Sequence, residues 1–174
     1  MCASVRNRQV LAVLADTHLS ASAALPAAVS ANLSQADIVV HAGDFTSPSL
    51  LHELLQYREF HGVCGNSDSL QVCMQLPQHE IFSVLGWRIG LIHGWGAPVE
   101  LEQRVIGYFA GCGLDVLIYG HSHMPVCRKK NGLWLINPGS PTQPRQTSLP
   151  SMARITIDDQ LRAELITLSP PPSA

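Results

Sequence analysis

The chain has 174 residues, of which 46% are apolar and only 14% charged, and its formal net charge at neutral pH is −2. That length predicts a single domain over 1–174 with one core, burying about two thirds of the unfolded chain's surface. The charge balance excludes a general nucleic-acid binder, since the longest basic run, Arg128-Lys129-Lys130, cannot track a polyphosphate backbone.

Val10 to Ala15 is a short continuous apolar run, the pattern of a strand buried on both faces, and it stops at Asp16-Thr17-His18. Ala21 to Leu33 reads as an Ala-rich helix with Pro26 in its first turn. Asp37 to His41 is a second strand delivering Gly43-Asp44. Pro48 to Tyr57 reads as a helix capped by Ser47, with Leu50, Leu51, Leu54 and Leu55 forming its apolar stripe. Phe60 to Cys64 is a short strand feeding Gly65-Asn66-Ser67-Asp68.

Glu80 to Leu85 and Trp87 to His93 flank Gly86 as a hairpin whose second arm ends at His93-Gly94. Val99 to Cys112 is helix-like and closes at Gly113. Asp115 to Tyr119 repeats the buried-strand pattern and ends at Gly120-His121-Ser122-His123. Asn131-Gly132 joins Val126–Lys130 to Leu133–Ile136, a strong hairpin signal. Ala153 to Asp158 and Leu161 to Leu168 form a last hairpin, and the ends, 1–8 and 169–174, are expected to fray. Strands and helices alternate early and hairpins dominate late, which predicts an α/β fold with mixed sheets.

Five cysteines, Cys2, Cys64, Cys73, Cys112 and Cys127, form no CxxC pair. An odd number in a chain of this length reads as reduced thiols in the cytoplasm, with Cys64 a small core residue. Arg6 and Arg8 before Val10–Ala15, followed by Ala21-Ser22-Ala23, imitate an export signal. The apolar stretch is only six residues long, however, and runs into Asp16 and His18. No segment approaches the roughly 20 apolar residues that cross a bilayer. The low charged fraction leaves apolar surface for a partner and is compatible with a homodimer.

Five polar groups, Asp16-Thr17-His18, Gly43-Asp44, Gly65-Asn66, His93-Gly94 and Gly120-His121-Ser122-His123, each follow a strand-like run directly. In open α/β sheets, ligands bind beyond the carboxyl ends of the strands, so these groups would converge on one crevice. Singly, turn chemistry accounts for Asp16, Asp44 and Asn66, and a satisfied core histidine for His93. Together, Asp, His and Asn without Cys form a donor set for Mn²⁺, Fe²⁺, Zn²⁺, Ni²⁺ or Co²⁺.

With these motifs in this order, and with Asn137-Pro138-Gly139-Ser140 after them, the sequence resembles the calcineurin-like metallophosphoesterases, in particular their small YfcE-like phosphodiesterase branch. The resemblance runs from Asp16 to Ser140. It implies two mixed sheets packed face to face with flanking helices, and a centre of two divalent metals, with Mn²⁺ the family expectation. Asp16, His18 and His123 would hold the first metal and Asn66, His93 and His121 the second, with Asp44 bridging. The implied activity is hydrolysis of a small phosphate ester, a phosphodiester in this branch, by a metal-bridging hydroxide. A non-catalytic interaction scaffold of the same fold is the alternative.

Asn66 and His121 would stabilise charge on the phosphoryl oxygens, and Asp68 would brace the site. Ser67, Ser140 and Arg145 are candidate substrate contacts. Ser67 stands where many family members carry the histidine taken as general acid, which predicts a preference for good leaving groups. His41 reads as a satisfied strand histidine, and His52, His61 and His79 as surface or loop residues.

Overall fold

The computed structural model describes residues 8–145 and 149–168; the expected frayed ends fall, Arg8 apart, outside them. The first half comprises β1 (Gln9–Leu14), α1 (Ala27–Leu33), β2 (Ile38–His41), α2 (Pro48–Leu54), β3 (Phe60–Gly62) and α3 (Leu70–Cys73). It is followed by β4 (His79–Val84), β5 (Trp87–Ile92), α4 (Leu101–Tyr108), β6 (Val116–Tyr119), β7 (Val126–Lys130), β8 (Leu133–Asn137), β9 (Ser151–Ile157) and β10 (Leu161–Thr167). No helix among the described residues is long and apolar enough to cross a membrane.

The strands form two five-stranded mixed sheets, ordered β10-β9-β1-β2-β3 and β4-β5-β6-β8-β7. In the first, β1, β2 and β3 run parallel and β9 and β10 antiparallel. In the second, β5, β6 and β8 are parallel, with β4 and β7 antiparallel at the edges. Alternation along each strand explains the continuous apolar runs. Leu11 and Val13 of β1 face the second sheet with Ile38, Val40, Ile89, Leu91, Val116 and Ile118. Ala12 and Leu14 face outward onto α1 and α2, meeting Val29, Leu33, Leu51 and Leu54. On the far side, Leu117 and Tyr119 of β6 pack under α4 against Leu101 and Val105. Both faces of the central strands are thus dry, and helix, sheet, sheet and helix stack as four layers.

Several boundaries differ from expectation for local reasons. α1 begins at Ala27, because Pro26 takes the extended N-cap conformation (ψ 137°) and disfavours helix in the residue before it. α2 ends at Leu54, leaving Leu55 45% exposed rather than part of the stripe. Ser47 does cap α2, its hydroxyl accepting from the Ser49 N–H. α4 spans Leu101–Tyr108 rather than 99–112. Glu100 at its start is left-handed (φ 62°), and Gly111 and Gly113 lie in turns beyond its end. The single turn α3 is too short to show a helical period.

The cysteine expectation needs correction. Cys64 and Cys73 form a disulfide, because the chain leaving β3 turns back through α3 and brings their Cα atoms to 5.1 Å. Cys112 and Cys127 are free thiols. His61 is a half-buried member of β3 rather than a surface or loop residue, paired with Glu59 and Glu80.

Candidate metal centre

The carboxyl ends of β1, β2 and β3 in one sheet, and of β5 and β6 in the other, open onto a single rim. There the chain turns sharply, so that side chains leaving a strand end point back across the crevice. Five of the nine non-glycine residues with positive φ among those described are Asp16, His18, Asp44, His121 and His123. Left-handed backbone outside glycine costs about 1 kcal/mol or more per residue and clusters where function requires it.

Glycine serves a different need. A Cβ on Gly43 would stand 2.8 Å from His93 Nδ1 and 2.9 Å from the Gly65 nitrogen. Only a bare backbone lets the β2 and β3 loops close beneath His93.

Two groups of donors lie within a metal's reach, Asp16 with His18 and His123, and Asp16 with Asp44 and His93. The His18 and His123 Nε2 atoms are 3.2 Å apart, and His123 Nε2 is 3.5 Å from Asp16 Oδ1. Asp44 Oδ2 faces both groups, 3.5 Å from His18 Nε2 and 3.4 Å from His93 Nε2. Asn66 Oδ1 then continues the array, 3.1 Å from His93 Nε2 and 2.8 Å from His121 Nδ1. All seven expected ligands therefore meet at the rim. Asp16 reaches both groups rather than one.

The outer nitrogens set the tautomers. His93 Nδ1 donates to the Ala42 carbonyl at 2.7 Å and His123 Nδ1 to that of Gln143 at 2.6 Å, which turns both Nε2 atoms inward. His121 is reversed: Nε2 donates to the Gly96 carbonyl at 2.7 Å and Nδ1 faces Asn66.

Burial pushes the Asp16 carboxyl up to about 7, His93 lowering it and the Asp44 charge adding to the rise. Burial also acts on His93, but Asp44 and Asp16 override it and raise its pKa. Asp44 is held well below the carboxylate range: the His93 bond and the Ser67 N–H outweigh its burial. Burial lowers His18 and His123. Asp16 Oδ2 is buried and has no hydrogen-bond partner. An orphaned carboxylate oxygen among inward-facing imidazole lone pairs fits divalent cations, which would satisfy all of these atoms together.

The supporting residues are partly unexpected. Asp68, grouped by sequence with the catalytic side chains as a residue bracing the site, spends both oxygens on backbone N–H groups, those of Thr46 at 2.7 Å, Gly65 at 2.8 Å and Asp44 at 3.0 Å. These bonds hold two loops together. Ser140, expected to meet substrate, is fully buried. Its hydroxyl donates to the Asp16 carbonyl at 2.7 Å and accepts from the Thr142 and Gln143 N–H groups. Burial at the end of β8 rules it out as a phosphate contact.

Asn137 binds the Gly120 carbonyl and Ser122, and Thr142 donates to the Thr17 carbonyl, so the segment from Asn137 to Thr142 latches the first and last ligand loops together. His41 does the same below: Nδ1 accepts from Gly43, and Nε2 is 3.1 Å from the Thr17 hydroxyl. Burial drops its pKa to about 3, which keeps it neutral. Thr17, Thr46 and Thr142 carried no sequence signal, because threonines at strand ends are commonplace. Ser67 is exposed at the mouth, its N–H donating to Asp44 Oδ1 at 2.7 Å and its hydroxyl accepting from Asn66. Arg145 is also exposed, and its charge lowers the pKa of Asp16, His18 and His123.

Comparison with known proteins agrees with this geometry. Residues 10–160 match the family model described as the calcineurin-like phosphoesterase superfamily domain. A probable metallophosphoesterase of Methanothermobacter thermautotrophicus is 37% identical over 164 residues, 93% of this chain and 94% of that protein. The crystal structure of a predicted phosphoesterase from Streptococcus pneumoniae has a TM-score of 0.73 at 25% identity, covering 92% of this chain and 90% of that one. A protein described as a novel archaeal phosphodiesterase shares the fold, with a TM-score of 0.70 at 19% identity over 91% of this chain and 99% of its own. The chain belongs to the calcineurin-like phosphoesterase superfamily.

Proposed function

We propose that this protein hydrolyses small phosphodiesters with two divalent metal ions, Mn²⁺ foremost. The observation that carries the reading is the complete donor set at one rim, with Asp16 Oδ2 buried and unpartnered among imidazoles turned inward. Asp16, His18 and His123 would hold one ion and Asn66, His93 and His121 the other, with Asp44 between them. Bound there, the ions supply Lewis acidity at the phosphoryl oxygens and lower the pKa of the attacking water.

The protein's own groups do the rest. The Ala42 and Gln143 carbonyls hold His93 and His123 in one orientation. The exposed Asn66 amide and Arg145 guanidinium are the groups proposed to bind the phosphoryl oxygens. Ser67 at the mouth has no acidic proton to give at neutral pH, so the leaving group departs with little assistance.

The test is metal-stripped protein with Mn²⁺, Ni²⁺, Zn²⁺ or Mg²⁺ restored, assayed on bis(p-nitrophenyl) phosphate and p-nitrophenyl phosphate. Metal-dependent turnover of the diester is expected. Silence with every metal overturns the proposal in favour of a protein-interaction scaffold. That rival draws on a separate cavity of about 600 Å³ lined by Leu55, Phe60, Leu76 and Ile81, and on the exposed Leu70 and Met74. Asp44→Asn should weaken binding of both metals together, whereas His123→Ala should weaken one, as read by metal analysis after dialysis.

A further inference from the structure

Beside the metal centre lies a cavity of about 390 Å³ that the seven ligands do not explain. Its inner wall is Asn66 and His93, and its outer wall is Ile92, Trp95, Tyr108 and Gln78. The volume is in the range of small-molecule sites, and apolar walls with a few polar groups are their usual composition. Trp95 is 44% exposed and Tyr108 48%, unusual for large aromatics. They stand edge to face, with ring centroids 5.8 Å apart.

The backbone under Trp95 and the ring of Tyr108 are both held. Arg104 spends its guanidinium on three carbonyls of one loop, those of Trp95, Ala97 and Val99. The same loop is tied to the metal centre where Gly96 accepts from His121 Nε2 at 2.7 Å. The Tyr108 hydroxyl is 2.9 Å from His79 Nδ1. The backbone carrying Trp95 and the Tyr108 ring it packs against are thus in place before any ligand arrives, which reduces the ordering cost of binding.

We infer that this cavity seats a nucleobase, and that the substrate is a nucleoside phosphodiester whose phosphate lies on the metal centre. An exposed indole beside a phenol offers a stacking face to a flat ring, and stacking on aromatic side chains is how bases are held without a groove. Gln78 adds an amide, with a donor and an acceptor, for the edge of such a ring. The inference rests on the phosphoesterase reading for its phosphate half.

The experiment is calorimetric titration of the Mn²⁺-loaded protein with adenosine 5′-monophosphate, ribose 5-phosphate and adenosine. The nucleotide should bind on the order of tenfold tighter than the sugar phosphate, the expected scale of one stacked base. Trp95→Ala should erase that difference while leaving ribose 5-phosphate affinity unchanged, and Trp95→Phe should retain most of it. Equal affinities for the two phosphates overturn the inference while the phosphoesterase reading stands. Binding of adenosine with no binding of either phosphate keeps the base site and overturns the phosphate half. No binding by any of the three overturns both.

Discussion

Asp16 concentrates the chemistry of the rim in one side chain. Its burial pushes the carboxyl up to about 7, from an ordinary value of 3.8. The folded chain thus holds this proton more tightly than the unfolded chain does. The resulting stability is fully present below the ordinary value and is lost as pH rises through about 7. His93 is shifted the same way, since Asp44 and Asp16 raise its pKa above the ordinary value against the effect of burial. Metal ligands must be deprotonated, so metal binding should expel these protons. Titrating Mn²⁺ into stripped protein at pH 6.5, in buffers of different ionisation enthalpy, should show release of on the order of one proton, falling toward none at pH 8.5. A heat independent of the buffer at both pH values would contradict the assignment. Ser67 yields a second expectation at this scale. Across aryl diesters the rate should fall steeply as leaving-group pKa rises, and Ser67→His should recover up to about 100-fold for the poorest leaving group. A flat dependence would remove Ser67 from the argument.

Loops at strand ends, rather than strands or helices, carry all seven proposed ligands, and each loop is strained or latched. Left-handed backbone at five ligand positions persists because hydrogen bonds from other loops hold it. Ser140 is the test of that statement, since its buried hydroxyl binds the Asp16 carbonyl and two N–H groups at once. Ser140→Ala should cost about 1–3 kcal/mol in urea unfolding, because it leaves these groups unsatisfied. It should also weaken metal retention although Ser140 touches no metal. Unchanged retention would make the latch irrelevant to the site. The Cys64–Cys73 bridge encloses Asn66, Ser67 and Asp68, so the loop carrying these three residues is covalently closed at its base. Neither the bridge nor α3 was legible beforehand, since a single turn has no period and cysteine spacing alone does not specify pairing.

Across the whole molecule, the two sheets are joined by the dry interface between them and at one edge by a charge contact. His61 on β3 is 2.7 Å from Glu80 on β4, the edge strands of different sheets. Burial would lower the His61 pKa, but Glu80 and Glu59 raise it above its ordinary 6.5. That contribution is fully present below 6.5 and is lost as pH rises through the raised value. Between pH 6 and pH 8.5 the protein should lose about 1 kcal/mol or less relative to His61→Gln, measured by chemical denaturation. Parallel slopes for the two proteins would remove the contact from the stability argument. The strands' positions along the chain, helix caps such as Ser47 and the order of the ligand motifs are local properties, and a reading of periodicity and residue type reaches them. The sequence by itself determined that strands buried on both faces end in metal-donor residues, because apolar runs and the polar groups after them are adjacent in the chain. Only the tertiary structure decided which loops meet. His18 and His123 lie 3.2 Å apart yet 105 positions apart in the chain, and their meeting depends on how two separate sheets dock. The roles of Ser140, Asp68, His41 and the Trp95–Tyr108 wall come from that docking, because what a side chain hydrogen-bonds or stacks against is set by its neighbours in space.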